Sequence, residues 1–181
     1  MNKYKLRSKI LKIRKKNSNK NLEINLSKFF SFLKINKLKS KNIGGYFPSN
    51  FEIDDLKILE MMEKKKFHIS LPVIKENYQM NFLQWSRNDL LKINKFGIPE
   101  PISSKIIVPD ILLVPLVSFD NELNRLGYGG GFYDRYIEKI EKVKKVIKIG
   151  LAFSYQKIKK IPTNKFDRKL DFIITEKEIL Q

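Results

Sequence analysis

The sequence predicts an α/β protein with a layered, open and mostly parallel β-sheet covered by helices on both faces. Helical and strand patterns alternate along the chain, which is typical of a parallel sheet with helical crossovers. Residues 111–118, ILLVPLVS, are apolar on both faces, as in a strand buried between two layers of helices. With 181 residues, 42% of them hydrophobic, the chain has the size of one domain with a full core. We therefore expect residues 1–181 to form a single domain.

Four segments have helical periodicity, and they cover residues 3–16, 22–35, 52–66 and 132–142. In the first, the apolar residues Leu6, Ile10 and Ile13 form one stripe among basic residues, which predicts an amphipathic helix. The core positions expected in the second and third helices are Phe29, Phe30, Leu33, Ile53, Leu56, Leu59 and Met62.

The remaining elements are predicted to be short strands and one long loop. The strands are expected over residues 42–48, 67–74, 78–85, 111–118, 146–154 and 171–176. Residues 94–105 contain two prolines and a glycine, which predicts a loop. Pro115 lacks the N–H needed for regular pairing, so we expect a bulge or the end of a strand there.

The composition excludes several classes of function. The chain has no cysteine, which excludes disulfides, thiolate catalysis and cysteine-ligated zinc. No apolar run approaches the roughly 20 residues that span a bilayer. The first 20 residues are basic but lack the apolar segment and cleavage site of a signal peptide. We expect a cytoplasmic protein without a membrane partner.

The formal net charge of +18 has two explanations. A large positive charge is typical of proteins that bind nucleic acid. The charge comes mostly from lysines scattered among asparagine and isoleucine, however, as AT-rich coding tends to produce, and arginine, the better reader of bases and phosphates, is rare. We favour the second explanation and expect no specific nucleic-acid partner, while an anionic substrate fits both.

Half of the chain's 8 glycines lie within residues 127–131, between a predicted strand and a predicted helix. We call this segment, GYGGG, the glycine loop. Free amides at a helix N-terminus form an anion site, and glycines allow a phosphate to approach the backbone. Arg125 is placed to add a charged fork to a phosphate, and Asp134, one turn into the helix, to hold Mg²⁺.

The spacing of these glycines matches neither G-x-x-x-x-G-K-[ST] nor G-x-G-x-x-G. By spacing alone, a ligand-binding loop and a tight structural turn both remain open.

The wider stretch RLGYGGGFYD resembles the signature of the 5-formyltetrahydrofolate cyclo-ligase family, also called 5,10-methenyltetrahydrofolate synthetase. Matching segments occur in order along nearly the whole chain: KYKLR, GYFPSNFEID, FGIPEP, PDILLVPLVSFD, GLAFSYQ and IPTNKFDRKLDFIITE. The resemblance implies the open α/β fold of sugar-phosphate isomerases and CoA transferases. It also implies that ATP and Mg²⁺ are used to convert 5-formyltetrahydrofolate into 5,10-methenyltetrahydrofolate.

The resemblance also implies roles for individual residues. The residues expected to contact ATP are Lys3, Lys5, Arg7, Arg125, Leu126, Gly127, Tyr128, Gly129, Gly130, Gly131, Phe132 and Tyr133. Those expected to contact the folate are Phe47, Glu52 and Tyr128, and those expected to hold Mg²⁺ are Asp134 and Asp167. Arg125 and Tyr128 are the predicted catalytic residues. The implied partners are two small molecules, 5-formyltetrahydrofolate and ATP. We expect the protein to be a monomer.

Two positions depart from the family's pattern. Phe132 stands where many members have tyrosine, and Gly130 stands where some carry lysine, so Lys3 or Arg125 would have to neutralise the transferred phosphate. The sole histidine, His68, lies in an alternating strand and is not expected to be catalytic. Two other classes remain as alternatives: a nucleic-acid or nucleotide-binding module, and a sugar-phosphate isomerase, which needs no ATP.

Overall fold

The computed structural model describes residues 2–38 and 41–181, and it has an α/β architecture built on a seven-stranded sheet. The helices are α1 (Lys3–Lys16), α2 (Leu26–Ile35), α3 (Leu56–Lys64) and α4 (Phe132–Glu141). The strands are β1 (Asn42–Gly44), β2 (His68–Ile74), β3 (Met80–Gln84), β4 (Leu91–Ile93), β5 (Pro99–Pro101), β6 (Ile111–Pro115), β7 (Ser118–Phe119), β8 (Arg125–Leu126), β9 (Ile147–Leu151), β10 (Phe172–Ile174) and β11 (Ile179–Leu180). A 3₁₀ turn covers Ser154–Gln156.

The large sheet is mixed and mostly parallel, as the sequence predicts. Its strand order is β11-β10-β9-β6-β1-β2-β3. The pairs β10–β9, β9–β6, β6–β1 and β1–β2 are parallel, and only the two outermost pairs are antiparallel. Two further pairs, β4–β5 and β7–β8, form separate two-stranded antiparallel units.

Helices cover both faces of the sheet. Successive residues of the central strand β6 point to opposite sides, so Ile111 and Leu113 pack with α2 and α3, while Leu112 and Val114 pack with α4. All four side chains are fully buried, which confirms the expectation drawn from the apolar run. Helix α1 lies apart from these layers, and its Leu6 and Ile10 pack against Val117, Leu126 and Ile161, at the end of the sheet where the glycine loop begins.

Several predicted boundaries are wrong, each for a local reason. Helix α2 begins only at Leu26, because Asn25 caps it through its side chain. Helix α3 begins at Leu56, so Ile53 is buried outside the helix. The first strand ends at Gly44 rather than at residue 48. The apolar run 111–118 is divided at Pro115, where β6 ends as expected, and Ser118 already belongs to β7.

The predicted loop 94–105 is also partly wrong, because Pro99–Pro101 pairs with Leu91–Ile93 in a hairpin. Proline is tolerated in such a short edge strand because the missing N–H faces away from the partner. Within the helices, Phe32 rather than Phe30 is fully buried in α2, and Arg14 rather than Ile13 continues the buried face of α1. No helix in the described ranges has the length and apolar character needed to cross a membrane.

Candidate active site

The glycine loop connects β8 to the N-terminus of α4 and has the backbone conformation expected of an anion site. Gly129 has φ of 109° and Gly131 has φ of 67°, both in the region that side chains rarely adopt. Gly131 is the N-cap of α4 and no side chain caps this helix end. The first N–H groups of α4 therefore lie at the loop, where the helix dipole favours negative charge.

Two cations of α1 reach the loop region from one side. Lys3 and Arg7 are four residues apart and share one face of the helix, as predicted. The Arg7 Nε donates to the Gly127 carbonyl over 2.7 Å, and its guanidinium lies so close to Gly129 that a Cβ there would be 3.3 Å from Arg7 Cζ. Lys5, which was expected beside them, is exposed on another part of the helix surface.

Lys3 binds the Asp167 carboxylate and so joins α1 to the loop before β10. Its Nζ lies 2.8 Å from Asp167 Oδ1 and 2.6 Å from Oδ2. Asp167 Oδ2 also accepts from the Asn164 amide, as in a turn. Both side chains of this pair are about a quarter exposed, at 24% and 23%. The pair is therefore accessible to solvent and can exchange one partner for another.

Arg125 is more deeply placed than expected for a phosphate ligand. Its side chain is 4% exposed, and its Nη2 donates to Asp134 Oδ1 over 2.8 Å. Its Nη1 donates to the Arg168 carbonyl, and the Arg168 amide donates to the same Asp134 oxygen. Two guanidinium nitrogens of Arg125 thus donate to acceptors within the protein. They are already used and do not form the expected bidentate contact with a phosphate. The structure brings Arg125 and Asp134 together as a pair that fixes the start of α4.

Glu52 and Tyr128, both predicted folate contacts, lie close together behind the loop. Glu52 accepts from the Ser49 amide over 2.8 Å, and its carboxylate lies near enough to the Tyr128 hydroxyl for each group to influence the pKa of the other. Burial raises the pKa of Glu52, and the hydrogen bonds and the nearby charge of Arg14 offset only part of this effect. Phe47, also predicted, lies half-buried in the segment between β1 and Glu52.

Arg14 is a residue of this site that the sequence reasoning missed. It is 1% exposed, and its Nη1 donates to the Tyr128 hydroxyl over 2.6 Å. In a lysine-rich helix every basic residue is expected to face solvent, so the sequence did not indicate that Arg14 is buried. One signal was available, because Arg14 follows Leu6 and Ile10 at four-residue intervals and so lies on the buried stripe.

Aromatic side chains border the loop on its other side. The Phe132 ring lies 5.9 Å from the Tyr78 ring and 6.0 Å from the Phe96 ring, measured between centroids. Arg135 covers Tyr78 and Phe132 and donates to the Gly130 carbonyl. These contacts come from the β2–β3 turn and the β4–β5 hairpin, which sequence reasoning did not connect with the glycine loop.

The two predicted metal ligands offer a partial fit to Mg²⁺. Asp134 uses Oδ1 for its protein contacts, and Oδ2 has no hydrogen bond within the described part of the chain. Asp167 would have to exchange Lys3 for the metal. Among the described residues no three acidic or histidine side chains form a ready metal cluster. One or two carboxylates are nevertheless sufficient when phosphate oxygens and water complete the shell.

Fold and site together define an α/β protein with a glycine loop at a helix N-terminus, a position that favours an anion. Comparisons with known proteins identify the class further. The model of the 5-formyltetrahydrofolate cyclo-ligase family matches residues 1–176. The chain belongs to this family.

Individual relatives agree with this assignment. A 5-formyltetrahydrofolate cyclo-ligase of Haemophilus influenzae is 35% identical over 140 residues, which cover 74% of each protein. The solved structure of Aquifex aeolicus 5,10-methenyltetrahydrofolate synthetase superposes with a TM-score of 0.80 at 31% identity, covering 100% of this chain and 93% of that one. The Mycoplasma pneumoniae synthetase gives a TM-score of 0.73 at 26% identity, covering 98% of this chain and 100% of that one.

Proposed function

We propose that this chain is a 5-formyltetrahydrofolate cyclo-ligase, which uses ATP and Mg²⁺ to close 5-formyltetrahydrofolate into 5,10-methenyltetrahydrofolate with release of ADP and phosphate. One observation carries the proposal beyond family membership. The glycine loop joins two sets of side chains: Lys3 and Arg7 reach its side near Asp167, and its own Tyr128 is held by Arg14 close to Glu52 behind the loop. A phosphate donor and a second substrate can therefore meet across one loop.

On the ATP side, we assign the phosphates to the loop amides at the N-terminus of α4. The left-handed conformation of Gly129 and Gly131 leaves the backbone uncovered there. Arg7 supports the loop through the Gly127 carbonyl, and Lys3 supplies a cation whose ion pair with Asp167 is accessible to solvent. Arg125 acts by fixing Asp134 and the start of α4.

On the folate side, we assign substrate contacts to Phe47, Glu52 and Tyr128. The Glu52 carboxylate is an acceptor for N–H donors of the substrate, and such a charge-assisted bond is worth about 1.5–3 kcal/mol. Tyr128 is 41% exposed although its hydroxyl is held by Arg14, so its ring presents a face to a bound molecule. Because burial raises the pKa of Tyr128, this hydroxyl stays protonated and remains a donor.

The chemistry we propose has two steps. The formyl oxygen attacks the γ-phosphorus of ATP, so that an O–P bond forms and the bond to ADP breaks. The N10 lone pair then attacks the activated formyl carbon, the C–O bond to the phosphoryl group breaks, and the N10 proton passes to a carboxylate or water. Phosphoryl transfer depends mainly on positioning and charge stabilisation, which matches a site of cations and amides.

We place Mg²⁺ at Asp134, through its Oδ2, and at Asp167 after exchange of Lys3. When bound there it would neutralise charge on the phosphate oxygens. Release from Asp167 would leave the Lys3 ammonium near the same phosphates, so the pair supplies both a carboxylate and a cation.

The test is conversion of 5-formyltetrahydrofolate by the purified chain. We expect the absorbance of the methenyl product to appear only with Mg²⁺ and ATP, with one ADP formed per product. Reactions lacking ATP or Mg²⁺ are the controls, and a panel of sugar phosphates tests the isomerase alternative. ATP-independent turnover of a sugar phosphate, or no conversion of the folate, would contradict the proposal.

We further propose that residues 1–181 act as one domain and as a cytoplasmic monomer, with the open fold of sugar-phosphate isomerases and CoA transferases. The match of the family model across residues 1–176 supports a single unit. Light scattering should give the mass of one chain, 21.4 kDa. We propose no specific nucleic-acid partner, and binding to RNA should be weak and steeply dependent on salt, as counterion release predicts. A nanomolar, sequence-selective complex would contradict this.

A further inference from the structure

Helix α1 holds the glycine loop with two arginines that lie seven residues apart, which is two helical turns. Arg7 donates to the Gly127 backbone and Arg14 donates to the side chain of the next residue, Tyr128. The two contacts differ in kind, because the first fixes the path of the chain and the second fixes the direction of one hydroxyl group. Arg14 is also buried, whereas Arg7 is partly exposed.

The setting of Arg14 is unusual for a cation on a lysine-rich helix. Besides Tyr128, its guanidinium donates to the Leu116 carbonyl after β6 and lies 3.5 Å from the Asn50 carbonyl. Its Nε is buried and has no hydrogen-bond partner within the described part of the chain. A buried arginine is costly unless it is paired, and among the described residues Arg14 hydrogen-bonds carbonyl and hydroxyl oxygens rather than a carboxylate, which points to a role besides stability.

The chemistry of the three side chains fixes the direction of the hydrogen bonds. Arginine has only donors, so the Tyr128 oxygen must accept from Arg14. The hydroxyl proton of Tyr128 is then left for another acceptor, and the Glu52 carboxylate lies nearby. Without Arg14 this hydroxyl would lose its hydrogen bond within the described part of the chain. Glu52 itself is held at its other contact by the Ser49 amide.

We propose that Arg14 is a positioning residue of the folate site: it holds the Tyr128 hydroxyl and contacts the Asn50 carbonyl, and thereby joins the glycine loop and the segment 46–52 in a single geometry. The inference rests on the proposed function, since it takes Glu52 and Tyr128 as the folate contacts. It assigns ATP support to Arg7 and folate support to Arg14. The two arginines of α1 therefore act on different substrates.

The experiment compares Arg14→Lys, Tyr128→Phe and the double variant with the wild-type chain. Lysine keeps the charge of Arg14 but loses the planar fork. Each single variant should raise KM and Kd for 5-formyltetrahydrofolate about tenfold, and Kd for ATP should change less than twofold. The double variant should be no worse than the poorer single one, because both changes remove the same hydrogen-bond chain. Arg87→Lys, the same change on an exposed arginine, is the matched control and should behave as wild type.

The outcomes separate the possibilities. Wild-type affinity for the folate in folded Arg14→Lys, or fully additive losses in the double variant, would overturn the positioning role. If Arg14→Lys does not fold, Tyr128→Phe alone decides, since unchanged folate affinity in that variant also overturns the inference. A wild-type chain that neither binds nor converts 5-formyltetrahydrofolate would reject the proposed function itself. If the wild-type chain is active but the variants do not show the expected loss of folate affinity, only the role of Arg14 is rejected.

Discussion

The two sides of the glycine loop differ in burial, and this difference separates contacts with a fixed geometry from an ion pair that can exchange partners. On the inner side, Arg14 is 1% exposed and donates to the Tyr128 hydroxyl, which lies near Glu52. On the outer side, the Lys3–Asp167 pair is about a quarter exposed. Buried polar contacts are expensive to break, whereas exposed ion pairs contribute little and are screened by salt. We infer that the inner side holds geometry and the outer side exchanges partners.

The pair Arg125–Asp134 lies between these two extremes. The arginine is buried like Arg14, whereas the side chain of Asp134 is 26% exposed like that of Asp167. The aspartate can therefore anchor Arg125 through one oxygen and present the other to a ligand. This arrangement explains how one residue can serve both structure and phosphate chemistry.

The largest effect is expected from Gly129→Val, which changes the loop between the two sides. Gly129 has φ of 109°, and a side chain there would press on the Arg7 guanidinium. A β-branched residue would force the backbone out of this conformation and cover the phosphate site. The affinity for ATP, measured by calorimetry, should fall by a factor of about 100 or more, which corresponds to about 2.7 kcal/mol.

Gly97→Val is the matched control for this variant. Gly97 also has positive φ, at 75°, but no atom of the described residues lies within 4 Å of a Cβ placed there. Both variants should lose about 1–2 kcal/mol of stability from backbone strain. Only Gly129→Val should lose affinity for ATP. A large drop in melting temperature with ATP affinity retained in folded Gly129→Val would instead make the loop a structural turn.

A second comparison, between Asp134→Asn and Asp167→Asn, measures the difference between an aspartate that pairs with a buried arginine and one that pairs with a partly exposed lysine. Asp134→Asn leaves the buried Arg125 without a countercharge, which should cost about 3 kcal/mol of unfolding free energy. Asp167→Asn removes a pair whose two side chains both reach solvent, and it should cost less than about 1 kcal/mol. Urea unfolding of both variants gives these values.

The same two variants test the metal assignment through a different measurement. If both aspartates hold Mg²⁺, each variant should need more Mg²⁺ to reach half of its maximal turnover. Near-normal turnover of Asp134→Asn at low Mg²⁺ would remove that residue from the metal site. Equal losses of stability in the two variants would show that the Arg125–Asp134 and Lys3–Asp167 pairs do not differ as proposed.

The sequence predicted the local features of the site better than its long-range contacts. The glycine loop, α1 and the buried strand β6 carry their signals within a few residues, and all three are present. Arg14 was missed because its partners Asn50, Leu116 and Tyr128 are 36 to 114 residues away in the chain. No local pattern reports that a basic residue will be buried by segments so distant.

The internal use of Arg125 has the same cause. A cation beside a glycine loop predicts a phosphate ligand, but its partner Arg168 comes from a loop 43 residues further along the chain. The hairpin of Leu91–Ile93 with Pro99–Pro101 was missed for a different reason. Its prolines suppress the strand pattern, although the pairing tolerates them at an edge.

Glu52→Gln tests the inner side of the loop alone. Loss of a charge-assisted hydrogen bond should weaken 5-formyltetrahydrofolate binding by about 1.5–3 kcal/mol, roughly 10- to 150-fold, while ATP affinity stays unchanged. Glu23→Gln, an exposed glutamate on the chain segment before α2, is the control and should bind as wild type. Equal folate affinities in Glu52→Gln and wild type would defeat the assignment of Glu52.

Glu52→Gln should also change how stability depends on pH. Burial raises the pKa of Glu52, so between about pH 4.3, where an unperturbed glutamate titrates, and its folded value the native state binds the extra proton. Wild-type stability therefore loses the Glu52 contribution as pH rises through this window, whereas glutamine does not titrate. The stability of Glu52→Gln relative to wild type should rise with pH across the window and then become constant. Urea unfolding at a series of pH values measures this difference, and parallel curves for the two proteins would show that the inner side of the loop is open to water.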